Sequence, residues 1–158
     1  MFYVKTEIRE SKIAGRGVFT LEPIKKGQIV ANFPRNAKVI TEEEYQEEQR
    51  KGNKVIIQSG VRWVGKEFLY KPEIDREEYI NHSNSPNLLY HCGICFAKRD
   101  INIGEELTAN YRYFLAENDV YAFKDNEGKL IDGLSPKEAL LQSSKELVEL
   151  LEEVEEVS

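Results

Sequence analysis

No apolar run in this chain of 158 residues approaches the roughly 20 residues that a helix crossing a bilayer needs, which argues against a helical membrane span. Residues 1–10 mix charges with apolar positions and lack the continuous apolar stretch of a secretory signal, so an intracellular protein is expected. Cysteine and histidine are scarce: Cys92, Cys95, His82 and His91 are all there are. A structural zinc wants about four nitrogen or sulfur ligands, and a lone C-x-x-C is a weak signal, so Cys92 and Cys95 read as two reduced thiols in or near a strand. A basic stripe is missing too. The formal charge is −6, but residues 137–158 hold two Lys and seven Glu, a net of −5, which leaves −1 for the 20 basic and 21 acidic side chains of residues 1–136. The acidity belongs to the tail, and direct binding of DNA or RNA is disfavoured.

What remains is the composition of one globular domain, 41% hydrophobic and 32% charged, long enough to bury a real core. Phe2, Val4, Thr6 and Ile8 alternate with more polar neighbours at period two, which suits a half-buried strand, and Gly15-Arg16-Gly17 breaks it. Val18-Phe19-Thr20, residues 29–33, Val55-Ile56-Ile57, Arg62-Trp63-Val64, Phe68-Leu69-Tyr70, residues 94–97 and residues 107–111 read as further short strands between Gly, Pro and Asn turns. The expected class is β-rich, mainly β with peripheral helices.

Two helices interrupt the strands. Thr41 with Glu44 three residues on forms a capping-box pattern, and Gly52 gives the stop after Arg50-Lys51. Ser135-Pro136-Lys137-Glu138 starts a second helix over about residues 136–157, with Pro at the first helical position. Its Leu140, Leu147, Leu150, Leu151, Val154 and Val157 form one broad stripe opposite glutamates. Docking on its own domain, or a homodimer through this helix, is expected ahead of any membrane role, because anionic lipids repel an acidic face.

Gly15-Arg16-Gly17-Val18-Phe19 lacks the third glycine and the following helix of a dinucleotide fingerprint. What its two glycines offer is bare backbone that a polar ligand can approach. Asn81-His82 sits between Ile80 and a polar, Pro-containing loop. An Asn there can offer its side-chain oxygen to an ammonium, while backbone groups of the next residue can pair with a purine edge.

In combination these segments resemble the SET domain family. Ala14-Gly15-Arg16-Gly17-Val18-Phe19 is similar to that family's first cofactor motif, and Asn81-His82-Ser83 with Pro86-Asn87 is similar to its central one. Arg99-Asp100-Ile101 through Gly104-Glu105-Glu106-Leu107 to Tyr111 resembles the last. The resemblance implies a β-clip fold with a knot-like crossing over residues 1–114, followed by an extension over residues 115–158. It implies methyl transfer from S-adenosyl-L-methionine to a lysine of a basic protein or peptide, such as a histone tail or chromatin-like protein. No metal is implied. The setting would be cytoplasmic in a prokaryote, or nuclear if eukaryotic or viral.

Carried over residue by residue, the backbone of Ala14, Gly15, Arg16 and Gly17 would hold the cofactor's methionine part, Asn81 its amino group and His82 the adenine. Tyr111 would stand where methyl and amine meet. Asn110 replaces the acidic residue often found before that tyrosine, and Ala109 stands where members place Phe or Tyr to control product methylation. Tyr90, three residues after Asn87, is where some members supply the missing hydroxyl. The Cys-rich segment that many members append is absent from this sequence, so Tyr113, Phe114, Tyr121, Phe123 or the terminal helix must complete the channel, with Phe114 the nearest candidate to cover the adenine. The run Glu42, Glu43, Glu44, Glu47 and Glu48 can steer a basic partner at long range or simply form a solvated helix face, and the sequence leaves both readings open. A SET-like module that has lost catalysis and only binds protein is the alternative reading.

Overall fold

The computed structural model describes residues 1–32, 36–119 and 123–154. Among them the strands are β1 (Thr6–Glu10), β2 (Arg16–Thr20), β3 (Ile29–Asn32), β4 (Lys38–Thr41), β5 (Val61–Arg62), β6 (Glu67–Tyr70), β7 (Asn81–His82), β8 (Leu88–His91), β9 (Ile94–Ala97) and β10 (Thr108–Ala109). The α-helices are α1 (Glu42–Arg50), α2 (Lys54–Ser59) and α3 (Pro136–Glu153). This is the mainly β architecture with peripheral helices expected from the sequence. Its sheets are small: the hairpin β1-β2, the three-stranded sheets β3-β9-β8 and β4-β6-β5, and the parallel pair β10-β7.

Val18, Val30, Leu88, Ala97, Ile101 and Leu107 are almost wholly buried in a core between the β1-β2 hairpin and the β3-β9-β8 sheet. A satellite cluster joins Tyr45 of α1, Ile56 of α2, Phe68 of β6 and Ala116. Tyr45 stacks on Phe68 with ring centroids 4.1 Å apart. The short pair β7-β10 matters most for function. Its register sets Asn81 against Thr108 and His82 against Ala109, and Ser83 N–H extends it to the Ala109 carbonyl at 3.0 Å. Two segments 27 residues apart in this register are thereby fixed side by side.

The helix starts behave as their residues dictate. Thr41 Oγ1 accepts from Glu44 N–H at 3.1 Å while the Glu44 carboxylate accepts from Thr41 N–H at 2.8 Å, an arrangement worth about 1 kcal/mol. Ser135 caps α3 through its side chain alone, its Oγ accepting from Glu138 N–H at 3.3 Å and donating to the Glu138 carboxylate at 3.0 Å, with Pro136 at the first helical position.

Elsewhere tertiary context overrides the local pattern. Val55-Ile56-Ile57, expected as a strand, is helical, because Asn53 caps the Ile56 N–H and a buried Ile56 packs into the satellite cluster. The strand expected over residues 107–111 forms a ladder only at Thr108–Ala109, and the chain then winds into a 3-10 turn over Tyr111–Tyr113. β8 has no counterpart among the expected strands. The hairpin β8-β9 closes through Cys92-Gly93, both at positive φ, and both cysteines are free thiols.

α3 docks on one edge of its leucine stripe, with Leu147, Leu150 and Val154 turned toward the body and Leu140 and Leu151 left out. Ala139, Ser143 and Leu150 are buried, while Leu140 is 39% and Leu151 53% exposed. Polar partners on the body set this rotation. His91 Nδ1 lies 2.9 Å from Ser143 Oγ, and Glu146 pairs with Lys98 at 2.9 Å and accepts from the Tyr113 hydroxyl. Phe33, Tyr121 and Val157 lie outside the described residues.

Candidate active site

The loop between β1 and β2 turns at Gly15, whose φ of +45° is a left-handed conformation that side chains rarely adopt. Ser11 N–H reaches the Gly15 carbonyl at 2.9 Å, and Ala14, Gly15 and Arg16 are exposed. Gly17 answers a different demand. A Cβ built there would stand 2.2 Å from Glu106 Oε1, so any side chain would displace that carboxylate. Asn81, on β7, reaches the same loop from below. Its Nδ2 donates to the carbonyls of Ala14 and Arg16 at 3.1 Å each and to Glu106 Oε1 at 2.8 Å.

His82 has its tautomer settled by its neighbours. Its Nδ1 accepts from Tyr111 N–H at 3.1 Å, so the ring hydrogen sits on Nε2, which faces Asn84 Oδ1 at 3.2 Å. Burial pushes its pKa below the usual imidazole value, an effect that outweighs the Asn84 hydrogen bond. The imidazole is neutral at physiological pH. Asn84 in turn bonds to Asp125 in the hairpin formed around the Lys124 to Leu130 bridge, which ties that hairpin to the central motif.

Tyr111 joins this side to a second one. Its hydroxyl donates to the Ile80 carbonyl at 2.7 Å. Its ring meets His82 at 5.3 Å, Phe114 at 4.9 Å and Phe123 at 5.8 Å. Burial, and then the negative charge of Glu106, push its ionisation well above that of a free phenol, so the hydroxyl keeps its hydrogen. On the far side opens a largely apolar cavity of about 290 Å³ lined by Tyr90, Ala109, Tyr111, Phe114, Phe123 and Ile57, among others. The Tyr90 hydroxyl donates to the Arg62 carbonyl, and its ring packs edge-on against Phe114 at 5.2 Å.

The residues singled out in the sequence therefore fall into two connected groups. Ala14, Gly15, Arg16 and Gly17 gather around Asn81 on one side. His82, Tyr111, Phe114 and Tyr90 form a chain of ring contacts that leads from that side into the cavity. Phe114 sits between Tyr90 and Tyr111 as a cavity wall, while Phe123 comes from the hairpin to meet Tyr111 edge-on. The sequence reading gave no role to Glu106 or Ser11, whose hydrogen bonds join the loop after β1 to Asn81 of β7 and to the segment before β10. Of the α1 glutamates, Glu42, Glu47 and Glu48 are ion-paired with Arg62, Arg50 and Lys51.

The comparisons with known proteins agree with this geometry. The SET domain family model matches residues 15–112. The Variant-silencing SET domain-containing protein of Plasmodium falciparum (isolate 3D7) is 36% identical over 139 residues, an alignment that takes in 74% of this chain and 5% of that protein. The chain thus spans a small fraction of that relative's length. Among solved structures, the methyltransferase domain of human histone-lysine N-methyltransferase SETMAR superposes with a TM-score of 0.52 at 25% identity, over 70% of this chain and 45% of that one. Among the described residues no helix is long and apolar enough to cross a membrane.

Proposed function

The chain belongs to the SET domain family, and from that premise we propose that it is a protein-lysine N-methyltransferase that uses S-adenosylmethionine and acts on a basic protein segment of the histone-tail or chromatin-like kind. The observation that carries this reading is the position of Tyr111, between a loop of bare backbone on one side and an aromatic cavity on the other.

The residues present fit the cofactor. The exposed backbone of Ala14, Gly15 and Arg16 suits its amino-acid part, Asn81 its amino group and neutral His82 its adenine, with Phe123 as aromatic cover. When bound, S-adenosylmethionine supplies an electrophilic methyl group.

The chain's own residues then have three tasks. A lysine ammonium has an unperturbed pKa of about 10.4, so its deprotonation at pH 7 costs roughly 4 to 5 kcal/mol. Walls made of Tyr90, Phe114 and Tyr111 strip water from the ammonium and reduce that cost. Tyr111 cannot serve as the base, because its hydroxyl stays protonated; the proton leaves to solvent before attack. With its hydrogen given to Ile80, the Tyr111 oxygen has lone pairs left to hold the incoming amine, which is positioning. The Tyr90 ring and hydroxyl limit the room for an amine that already carries methyl groups.

Calorimetry with S-adenosylmethionine, followed by mass spectrometry of a basic lysine peptide, tests the reading. Binding and a product heavier by one or more methyl groups are expected. A folded chain with no measurable affinity for the cofactor would refute it.

A further inference from the structure

Asn81 and Ser11 converge on the carboxylate of Glu106. Asn81 Nδ2 donates to Oε1 at 2.8 Å, and Ser11 Oγ lies 2.8 Å from that atom and 2.9 Å from Oε2. The same Asn81 nitrogen also faces the Ala14 and Arg16 carbonyls at 3.1 Å each. Two hydrogens therefore meet three acceptors. Turning the amide over would set its oxygen against two carbonyls and a carboxylate, all of which repel it. The network thus fixes nitrogen inward and leaves the oxygen outside it. Of the three acceptors the carboxylate makes the shortest and strongest bond, and it alone belongs to a side chain. Ser11 steadies it in turn, since its Oγ also accepts from Ile13 N–H at 2.9 Å within the cofactor loop.

We propose that Glu106 is a positioning residue of the cofactor site: its carboxylate locks the Asn81 amide so that Oδ1 is offered as the acceptor for the ammonium of an amino-acid ligand. The inference rests on the reading that this loop and Asn81 hold the methionine part of S-adenosylmethionine. Glu106 does not itself touch the ligand. Its effect is confined to ligands that carry the ammonium, which separates positioning from a general loss of structure.

Two ligands make that separation. S-adenosylhomocysteine carries the amino-acid part, and 5′-methylthioadenosine keeps the adenosine and sulfur without it. In calorimetry on the full chain, Glu106→Ala is expected to weaken S-adenosylhomocysteine about tenfold or more, with less than about a twofold change for 5′-methylthioadenosine. Glu106→Gln should recover most of the loss, because its amide oxygen can accept from Asn81 while its NH₂ donates to Ser11 Oγ. Equal weakening of both ligands by Glu106→Ala, or no weakening of either, overturns the proposal and leaves the cofactor reading intact. Failure of the unaltered chain to bind either ligand overturns both. A second measurement needs no variant or ligand: by NMR the Asn81 side-chain NH₂ should exchange with water at least about tenfold more slowly than that of an exposed asparagine. Exchange at the exposed rate overturns the lock.

Discussion

Replacing Tyr111 by Phe removes one oxygen and leaves every ring contact in place. The lost hydrogen bond is the one to the Ile80 carbonyl at 2.7 Å, worth about 0.5 to 1.5 kcal/mol net to stability. For a domain of this size that lowers the melting temperature by roughly 2 to 5 °C, so the variant should fold. Affinity for S-adenosylmethionine should change by less than about threefold, because the backbone loop, Asn81 and His82 are untouched. Methyl transfer should fall about 10²- to 10³-fold, the usual consequence of losing one preorganised group that acts in the transition state. Thermal unfolding, calorimetry and product mass spectrometry separate the three quantities. A variant that methylates a good peptide within about threefold of the parent would refute the assignment of Tyr111. One that loses cofactor affinity and activity together would show a structural role instead.

Tyr90→Phe frees the Arg62 carbonyl and about one oxygen's volume at the cavity wall, so the mean number of methyl groups per lysine should rise; an unchanged product distribution in mass spectrometry sinks that role. Glu146→Ala removes the acceptor shared by Lys98 and Tyr113. With these side chains about one-third exposed, a loss of about 1 to 2 kcal/mol is expected, and an unshifted melting curve would mean that α3 does not dock through this carboxylate. Burial holds the pKa values of His82 and His91 below the usual imidazole value. The unfolded chain therefore binds protons first, and stability should be full above about pH 6.5 and decline as pH falls from there toward the folded values. Melting temperatures from pH 7.5 to 5.5 check this, and a flat or rising profile on acidification contradicts it.

The sequence was most legible where chemistry is local. The Thr41–Glu44 box and the Ser135-Pro136 start need only neighbouring residues to be understood, and both helices begin there; the turn expected over residues 15–17 falls at Gly15, since Arg16 and Gly17 already pair in β2. Val55-Ile56-Ile57 failed because β-branched residues favour a strand only when a partner strand exists, and here Asn53 supplies a helix cap instead. α3 docks on only part of its leucine stripe for a related reason. Its leucine stripe is the strongest signal within the helix, yet His91, Lys98 and Tyr113 decide how it docks, and each lies 33 or more residues in sequence from the helix residue it meets. The site behaved likewise. Asn81, His82 and Tyr111 take their roles from the motifs that resemble the SET family, whereas Glu106, inside the last of those motifs, has no evident role until the fold brings Ser11 and Asn81 to it.

That distribution of signals has a physical reason in how Tyr111 is held. The 3-10 turn of Tyr111–Tyr113 is too short to be stable alone. Asn110 caps it by accepting from Arg112 N–H at 3.1 Å, and Leu115 N–H closes on the Tyr111 carbonyl at 2.9 Å. His82 takes the Tyr111 N–H, Leu134 N–H takes the Arg112 carbonyl at 2.9 Å, and Glu146 takes the Tyr113 hydroxyl. The turn is thus fastened by the central motif, by the segment leading to α3 and by α3 itself. Residues beyond the family match, which ends at 112, accordingly help fix the ring on which the proposed chemistry depends. Loosening α3 should therefore slow methyl transfer more than it weakens cofactor binding, since the Ala14, Gly15, Arg16 and Asn81 side of the site shares none of these fastenings.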